Sequence, residues 1–318
     1  MRPRKTKLST TTSITSTYAG EFASEYIAAA LFSARTLEQN ALTVKANIKY
    51  KQVVKKLSNT GAIADSTCDF NPTGSVALTE RILTPKKLQI NEQVCKDDFI
   101  ADWEAEQMGF SAWDTLPPNF TQFFIANMLG IVADQTETNI WQGASTTSGY
   151  FDSFATLLAA DSDVVDVDSA GTATTAANVI DKYTLGYNAI PSKVFGKPDV
   201  MLYSSANMYK FYQIALGGFG ASGLGAAGFK DEGTVTEKPM FFAGIPVILC
   251  NGLADDEFVI AQKQNMWFGT GLMNDQNSVK VIDMADIDAS ENVRFAMKWT
   301  AAVQFGIGAE IVYYWDAP

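Results

Sequence analysis

The sequence predicts an α+β fold, with a long β-hairpin early in the chain, one long central helix and two alternating strands near the end. Three observations predict it. Residues 44–55 alternate with a period of two, residues 120–142 carry no proline or tight-turn signal, and residues 293–300 and 311–315 alternate again. A period of two marks a strand with one apolar face, and an uninterrupted apolar stripe marks a helix. The order of these parts is not the regular βαβ alternation of a doubly wound enzyme.

The first residues read MRPRKTKLSTTTSITST, where Arg2, Arg4, Lys5 and Lys7 precede a Ser/Thr run. Such a segment cannot nucleate a core alone and is expected to be flexible unless a partner orders it. Residues 18–38 place Phe22, Tyr26, Ala29 and Ala30 near helical spacing, which predicts a short amphipathic helix.

Val44, Ala46, Ile48, Tyr50, Gln52 and Val54 then alternate with Lys45, Asn47, Lys49, Lys51, Val53 and Lys55, and Lys56 follows. This predicts a single strand with one apolar and one basic face. A polar, turn-rich stretch leads to a second alternating run, Ser75 to Leu83, so the pair reads as a hairpin of roughly forty residues. A two-stranded hairpin standing alone in water is marginal. If its own domain does not cover it, another subunit must.

Residues 84–113 are mixed in pattern. Pro117 and Pro118 suit a helix start. Phe120, Phe124, Met128 and Ile131 form a stripe, and Gly143 ends a helix of about six turns, roughly 35 Å long. Asp161 to Gly171 reads as an acidic loop and residues 174–189 as a helix closed by Pro191. A buried strand is expected at Asp199 to Ser205 and a helix at Ala206 to Leu216. Six glycines follow in residues 217–228. Short apolar strands are expected at 245–249, 258–261 and 266–268, with Asn251 and Gly252 marking a turn. The alternations at 293–300 and 311–315 predict two antiparallel strands, each with one buried face.

Composition narrows the function. The 318 residues are 47% hydrophobic and 19% charged, enough to fill a core. No stretch approaches the run of about 20 apolar residues that a membrane helix needs. There is no histidine. Ser-His-Asp and Cys-His triads and the commonest zinc ligand are therefore excluded. Cys68, Cys95 and Cys250 are odd in number and widely spaced, so neither a disulfide framework nor a zinc site is suggested, and a reduced compartment is the simple reading. The net charge of −11 is uneven. Residues 1–60 hold ten basic against three acidic side chains, a net of +7, and the remainder holds fourteen against thirty-two, a net of −18. A basic segment lying on a neighbour's acidic surface gains steering and complementarity; a basic tail that only aids solubility is the plainer alternative.

The motifs that could carry chemistry are weak. Gly218, Gly220 and Gly223 match GxGxxG, but a helix precedes them where a dinucleotide loop needs a strand. A flexible loop, Gly217, Gly218, Gly220, Gly223 and Gly225, that packs against its own copies is the better reading. Asp161, Asp163, Asp166 and Asp168 lack EF-hand spacing and read as a solvated loop, as do Asp283, Asp286, Asp288 and Glu291. No GxSxG or GxxxxGK[ST] is present. Catalytic residues, cofactors and metals are accordingly expected to be absent. Lys45, Lys49, Lys51 and Lys55 could grip nucleic acid, but their face lacks stacking aromatics, and an acidic protein partner fits better.

This order of parts resembles the major capsid protein of tailed bacteriophages, the Hong-Kong-97-type or Johnson fold. ERILTPKKLQINEQVCKDDFIADWE is similar to that family's passage from extended loop to peripheral domain. IPSKVFGKPDVMLYSSANMYKFY, FFAGIPVILCNGL and QNMWFGTGLMNDQNSVKVIDM are similar to its central strands and the return to the periphery. The resemblance implies an N-arm at 1–17, a connection at 18–42 and an E-loop at 43–83. It implies a peripheral domain at 84–144 and 279–318 with its spine helix, and an axial domain at 145–278 whose tip, 217–233, lies near the capsomer centre.

The function so implied is self-assembly into hexamers and pentamers of an icosahedral shell around double-stranded phage DNA, in the virion, after assembly in the host bacterial cytoplasm. Lys45, Lys49, Lys51, Lys55 and Lys56 would then meet acidic neighbours, and Arg2, Arg4, Lys5 and Lys7 would reach another subunit or the lumen. An acidic lining would limit sticking of the packaged DNA, held only non-specifically. Portal, a separate scaffolding protein and decoration proteins are the other implied partners, with no membrane. The family's covalent Lys–Asn cross-link is not assignable, since no asparagine or glutamate stands out. An encapsulin-like cellular shell around cargo enzymes is the alternative.

If the lysine face meets acid, reversing the charge of Lys49, Lys51 and Lys55 together leaves the subunit folded by circular dichroism but stops shell closure in electron micrographs. Each exposed pair contributes only about 0–1 kcal/mol, but every copy repeats the loss. Normal shells at low ionic strength would refute the electrostatic role.

Overall fold

The computed structural model describes residues 34–48, 50–60, 74–95, 118–169, 171–217, 240–271 and 279–315, with single positions at 63, 65, 66 and 68. In chain order a one-turn helix α1 (Arg35–Glu38) leads to β1 (Thr43–Lys45), β2 (Gln52–Thr60), β3 (Ser75–Leu83) and β4 (Lys86–Cys95). Then come α2 (Pro118–Gln142), α3 (Phe154–Ala159), β5 (Val165–Asp168), α4 (Val179–Asn188), β6 (Val200–Ser205) and α5 (Ala206–Gly217). The last part holds β7 (Met240–Phe242), β8 (Ile245–Cys250), β9 (Phe258–Gln262), β10 (Met266–Thr270), β11 (Val279–Asp283), α6 (Ala285–Asp288), β12 (Asn292–Phe305) and β13 (Val312–Trp315). The α+β class is as the sequence predicts.

Two sheets carry the body, and the pleat of one of them divides the core. A six-stranded sheet runs β5-β13-β9-β6-β8-β7. Side chains alternate across it. Val200, Leu202, Phe258, Ile260, Val312 and Tyr314 point to one side, where α4 and α5 cover them with Val179, Tyr183, Met208 and Tyr212. Tyr203, Val259, Ala261 and Tyr313 point to the other side. There they join α2 and a five-stranded sheet, in which β12 pairs with β4, β10 and β11 and β10 also pairs with β1. The main core thus lies between the two sheets and the long helix.

Several elements differ from expectation. The predicted strand over 44–55 is two strands. Asn47 has a φ of 65°, a left-handed conformation that asparagine tolerates. It interrupts pairing, so β1 stays in the body beside β10 while β2 leaves it. The two closing strands do not pair with each other. β12 lies in the five-stranded sheet, and β13 lies between β5 and β9 in the other, with both faces covered. Asn265 holds the crossing chain, accepting from the Gly306 and Ile307 N–H groups at 3.0 and 2.7 Å and donating to the Ile307 carbonyl at 2.9 Å. The mixed stretch contains β4, a ten-residue partner of β12. The acidic loop contains β5.

The long helix begins at Pro118 and ends at Gln142, close to prediction, but of its expected stripe Met128 is buried and Ile131 is not. Ile125, Met128, Val132, Ile140 and Trp141 are buried, whereas Ile131 is exposed. The side chains of Phe120 and Phe124, and residues 18–33 of the expected first helix, lie outside the described residues; α1 is the described end of that segment. α4 starts at Val179, later than the expected 174, because Asn178 accepts from the Thr175 N–H at 2.7 Å and closes a turn first.

One buried carboxylate ties three parts of the chain. Glu137 of α2 accepts from the Thr36 N–H at 2.9 Å and the Thr36 hydroxyl at 2.6 Å, and the Gly252 N–H lies 3.5 Å away. The Thr36 hydroxyl in turn accepts from the Trp141 indole at 2.9 Å. A Cβ at Gly252 would fall 2.1 Å from the Glu137 carbonyl oxygen, so only glycine allows this approach. Burial pushes the Glu137 carboxyl above its ordinary value of 4.5, outweighing the Thr36 and Gly252 donors and the nearby Arg35 charge, which pull it down. Burial, and then the Glu137 charge, also push up the thiol of Cys250, which stays protonated as a small apolar side chain.

A carboxyl raised in the folded state binds more protons there than in the unfolded chain, so its contribution is full below 4.5 and declines as pH rises through the folded value. Denaturant titrations of wild type and Glu137→Gln between pH 4 and 8 should differ by that decline. Glu137→Ala, which strands two Thr36 donors, should cost about 2–4 kcal/mol. A pH-independent difference between wild type and Glu137→Gln would show that the carboxyl titrates normally.

Candidate functional site

The element that the body does not absorb is the β2–β3 hairpin. Its strands pair antiparallel from Gln52 opposite Leu83 to Thr60 opposite Ser75. Directly opposed residues share a face. Val53, Lys55, Glu80, Ile82, Leu78 and Val76 therefore stand on one side, and Val54, Lys56, Thr79 and Arg81 on the other. On the first side Val53 is 45%, Val76 65%, Leu78 60% and Ile82 42% exposed. Tyr50, at the entrance, is 76% exposed, with the Lys51 ammonium 5.4 Å from its ring centre. An exposed apolar strip of this kind marks a docking surface.

The inner side faces the body across a cleft of about 490 Å³. Residues 54–56 and 79–81 of the hairpin form one wall, and Asp163, Gln264, Trp267 and Glu310 are on the other.

The root is fixed by packing and by two cations. Ile48 and Leu83 are buried against Ala302, and a Cβ on Gly269 would lie 2.6 Å from Leu83 and 2.9 Å from Ile48. The bare glycine backbone is what lets both hairpin legs lie flat on β10. Arg81 donates from Nε to the Gly306 carbonyl at 2.9 Å, pairs with Asp161, and lies 4.3 Å from the Phe305 ring centre. Burial alone would raise the Asp161 carboxyl, but the Asp163 N–H and the Arg81 guanidinium outweigh it and hold it below its ordinary value. Lys86, just past the hairpin, donates to the carbonyls of Tyr150, Ser145 and Thr147 at 2.6, 3.0 and 3.5 Å.

The expected lysine face is not assembled by this geometry. Lys45 is half-buried in β1. Lys51 is exposed at the hairpin entrance. Lys55 stands on the apolar outer side opposite Glu80, and Lys56 stands on the inner side opposite Thr79. The break at Asn47 and the strict alternation of β2 separate them. Lys49, Arg2, Arg4, Lys5 and Lys7 lie outside the described residues. Gly217 is the last residue of α5, while Gly218, Gly220, Gly223 and Gly225 lie outside the described residues.

Asp161 is not a solvated loop residue but Arg81's partner. Asp166 and Asp168 sit on β5. The Asp283 carboxylate accepts from the Ala285 N–H at 3.0 Å and starts α6. Among the described residues no group of three acids or cysteines could hold a metal, and no helix is long and apolar enough to cross a membrane. Sequence reasoning missed Arg81, Asp161, Lys86 and Glu137. The only advance signal was the placement of Arg81 and Lys86 at the hairpin's exit.

No family model matches the chain, and no curated protein matches it. Solved structures do. The capsid of an empty GTA particle is 12% identical, with a TM-score of 0.59, covering 90% of this chain and 97% of the other. A structure from Gordonia phage Cozz is 12% identical, with a TM-score of 0.57, covering 88% and 86%. A virus-like particle from Pyrococcus furiosus is 10% identical, with a TM-score of 0.50, covering 93% and 99%. The likeness is one of fold and runs through nearly the whole chain. This chain has the phage capsid fold.

Leu83→Ala removes the contact that closes the root over Gly269. It should cost about 2–4 kcal/mol in urea unfolding. An unchanged midpoint would mean that the root packing adds nothing to stability.

Proposed function

We propose that this chain is the shell subunit of a phage-type capsid. Many copies, in hexamers and pentamers, close an icosahedral shell around double-stranded DNA in the virion, and the role is structural rather than catalytic. The observation that carries the reading is the hairpin's outer face, where Val53, Val76, Leu78 and Ile82 stand exposed on a protein with the capsid fold. A second copy is the partner that every subunit has at hand. Lys55 and Glu80, opposed within the strip, make it locally neutral and suit it to an apolar contact with polar edges.

In this reading residues 1–17 are the arm, the hairpin is the extended loop across a neighbour, and the glycine-rich 217–233 lies near the capsomer centre. Residues 84–144 and 279–318 form the peripheral part and 145–278 the axial part, except that β10, within 145–278, belongs to the five-stranded sheet of β4, β11 and β12, and β13, within 279–318, pairs in the six-stranded sheet. Portal, a separate scaffolding protein and decoration proteins complete the particle, which assembles in the bacterial host's cytoplasm. A cargo-holding cellular shell of the same fold is less well supported, since phage and GTA particles stand among the similar structures. The contents of purified particles, genome or cargo enzyme, decide between them.

The double variant Val76→Asp with Leu78→Asp changes side chains that the subunit itself leaves exposed. Its circular dichroism and thermal midpoint should match wild type, and electron microscopy should show no closed shells. Shells of normal yield would overturn the apolar contact. If the lysine reversal fails to assemble while this pair assembles normally, charge rather than apolar contact holds the hairpin down.

A further inference from the structure

We propose that Arg81 and Lys86 form a two-sided clamp that sets the angle of the hairpin before any neighbour binds; this rests on the shell reading for its purpose but not for its geometry. The two cations stand five residues apart, one on each side of the point where β3 passes through Thr84 and Pro85 into β4. They grip different parts of the body. Arg81 reaches the end of β12 through the Gly306 carbonyl, the segment before β5 through Asp161, and the Phe305 ring. Lys86 reaches the loop after α2 through three backbone carbonyls.

A planar guanidinium with a carbonyl, a carboxylate and a ring as partners has its orientation fixed in three directions. An ammonium among three carbonyls holds its stem against a different segment of the body. The Gln304 side-chain amide adds a weaker tie to the Ile82 carbonyl at 3.3 Å.

The other leg is built differently. It turns at Asn47, is seated by Ile48, whose N–H donates to the Thr270 carbonyl at 3.2 Å, and passes the exposed Tyr50 before pairing resumes at Gln52. Packing seats this leg, whereas directional polar bonds aim the β3 leg. The apolar strip is thereby presented at one angle, which lowers the ordering cost of docking. Arg81 and Lys86 are positioning residues: neither is on the apolar outer face.

The test measures the angle directly in unassembled subunits. Spin labels are placed at Val76→Cys on the hairpin and Lys193→Cys on the body, with Cys68 and Cys95 changed to serine, and the distance distribution is read by pulsed electron resonance. The parent should give one narrow distribution. Arg81→Gln, Asp161→Asn and Lys86→Met should each at least double its width or shift its centre, and Arg81→Lys should fall between. Lys55→Gln, which alters charge on the same hairpin without touching the clamp, should leave it unchanged.

A thermal midpoint recorded for each variant shows that the body is folded; should Arg81→Gln fail to fold, Asp161→Asn and Lys86→Met carry the test. Distributions that overlay the parent, or a parent already broad, would overturn the clamp. Electron microscopy of the unlabelled proteins separates the two readings. If wild type forms no shells, the shell reading fails while the distance data still decide the clamp. If shells form and Arg81→Gln keeps both distance and diameter, the clamp alone fails.

Discussion

A carboxylate sealed inside a protein must be matched donor for donor, and that demand at Glu137 organises the molecule around it. Its partners come from a segment 101 residues earlier and a turn 115 residues later in the chain. Satisfying them brings the end of α1, the long helix and the β8–β9 turn to one point. The Trp141 ring, 5.5 Å from Tyr203 between ring centres, then closes the helix onto the six-stranded sheet, and the Tyr203 hydroxyl donates to the Ala41 carbonyl at 2.6 Å. Ala41 stands just before β1. The start of the hairpin is thus referenced to the core through a chain of buried polar contacts, and such contacts penalise every near-miss arrangement.

Among the described residues, the consequence is a two-sheet body from which the β2–β3 hairpin stands apart as its own two-stranded sheet. β1 and β10 fix where the chain leaves, and β4 and β12 fix where it returns. Between those points two strands pair only with each other. Hydrophobic burial cannot stabilise their outer face within the subunit, so its geometry depends on what grips the root: Leu83 and Ile48 by packing, Arg81 and Lys86 by directional bonds. Two different physical terms therefore act at one junction. The packing term resists salt and the polar term carries direction.

Local pattern was legible where one rule dominated. The hairpin, the end of the long helix at Gly143, the strand at 200–205 and the helix at 206–217 all follow from alternation, apolar stripe or breaker residues. Legibility failed where tertiary context decides. β4 reads as mixed because it is an outer strand of its sheet and, along its length, fully buries only Leu88. The lysine periodicity is real in the sequence, yet one left-handed residue, Asn47, splits it between two sheets. On the long helix Ile131 was misplaced because its apolar neighbour Val132 takes the buried position, and apolar character alone does not separate the two. Glu137 and Asp161 could not be found in advance, since their partners are distant in sequence, and an acid with no local partner reads as solvated whether it stands alone or, like Asp161, among other acids.

Charge and apolarity divide the remaining task between them. A net of −11 over the whole chain makes identical copies repel one another at long range. The strip acts only at contact. Four half-exposed aliphatic side chains, each fully buried for about 1.5–3 kcal/mol at most, leave a small surplus once ordering costs are met. A single hairpin contact is therefore weak and reversible. The proposed shell would repeat it in every subunit, so the sum would be large while each bond stayed correctable. In the proposed shell, long-range repulsion, a weak contact and a fixed presenting angle would together favour closure over random aggregation. The angle would matter most of the three, because an error in it would repeat with every copy and change the curvature of the whole.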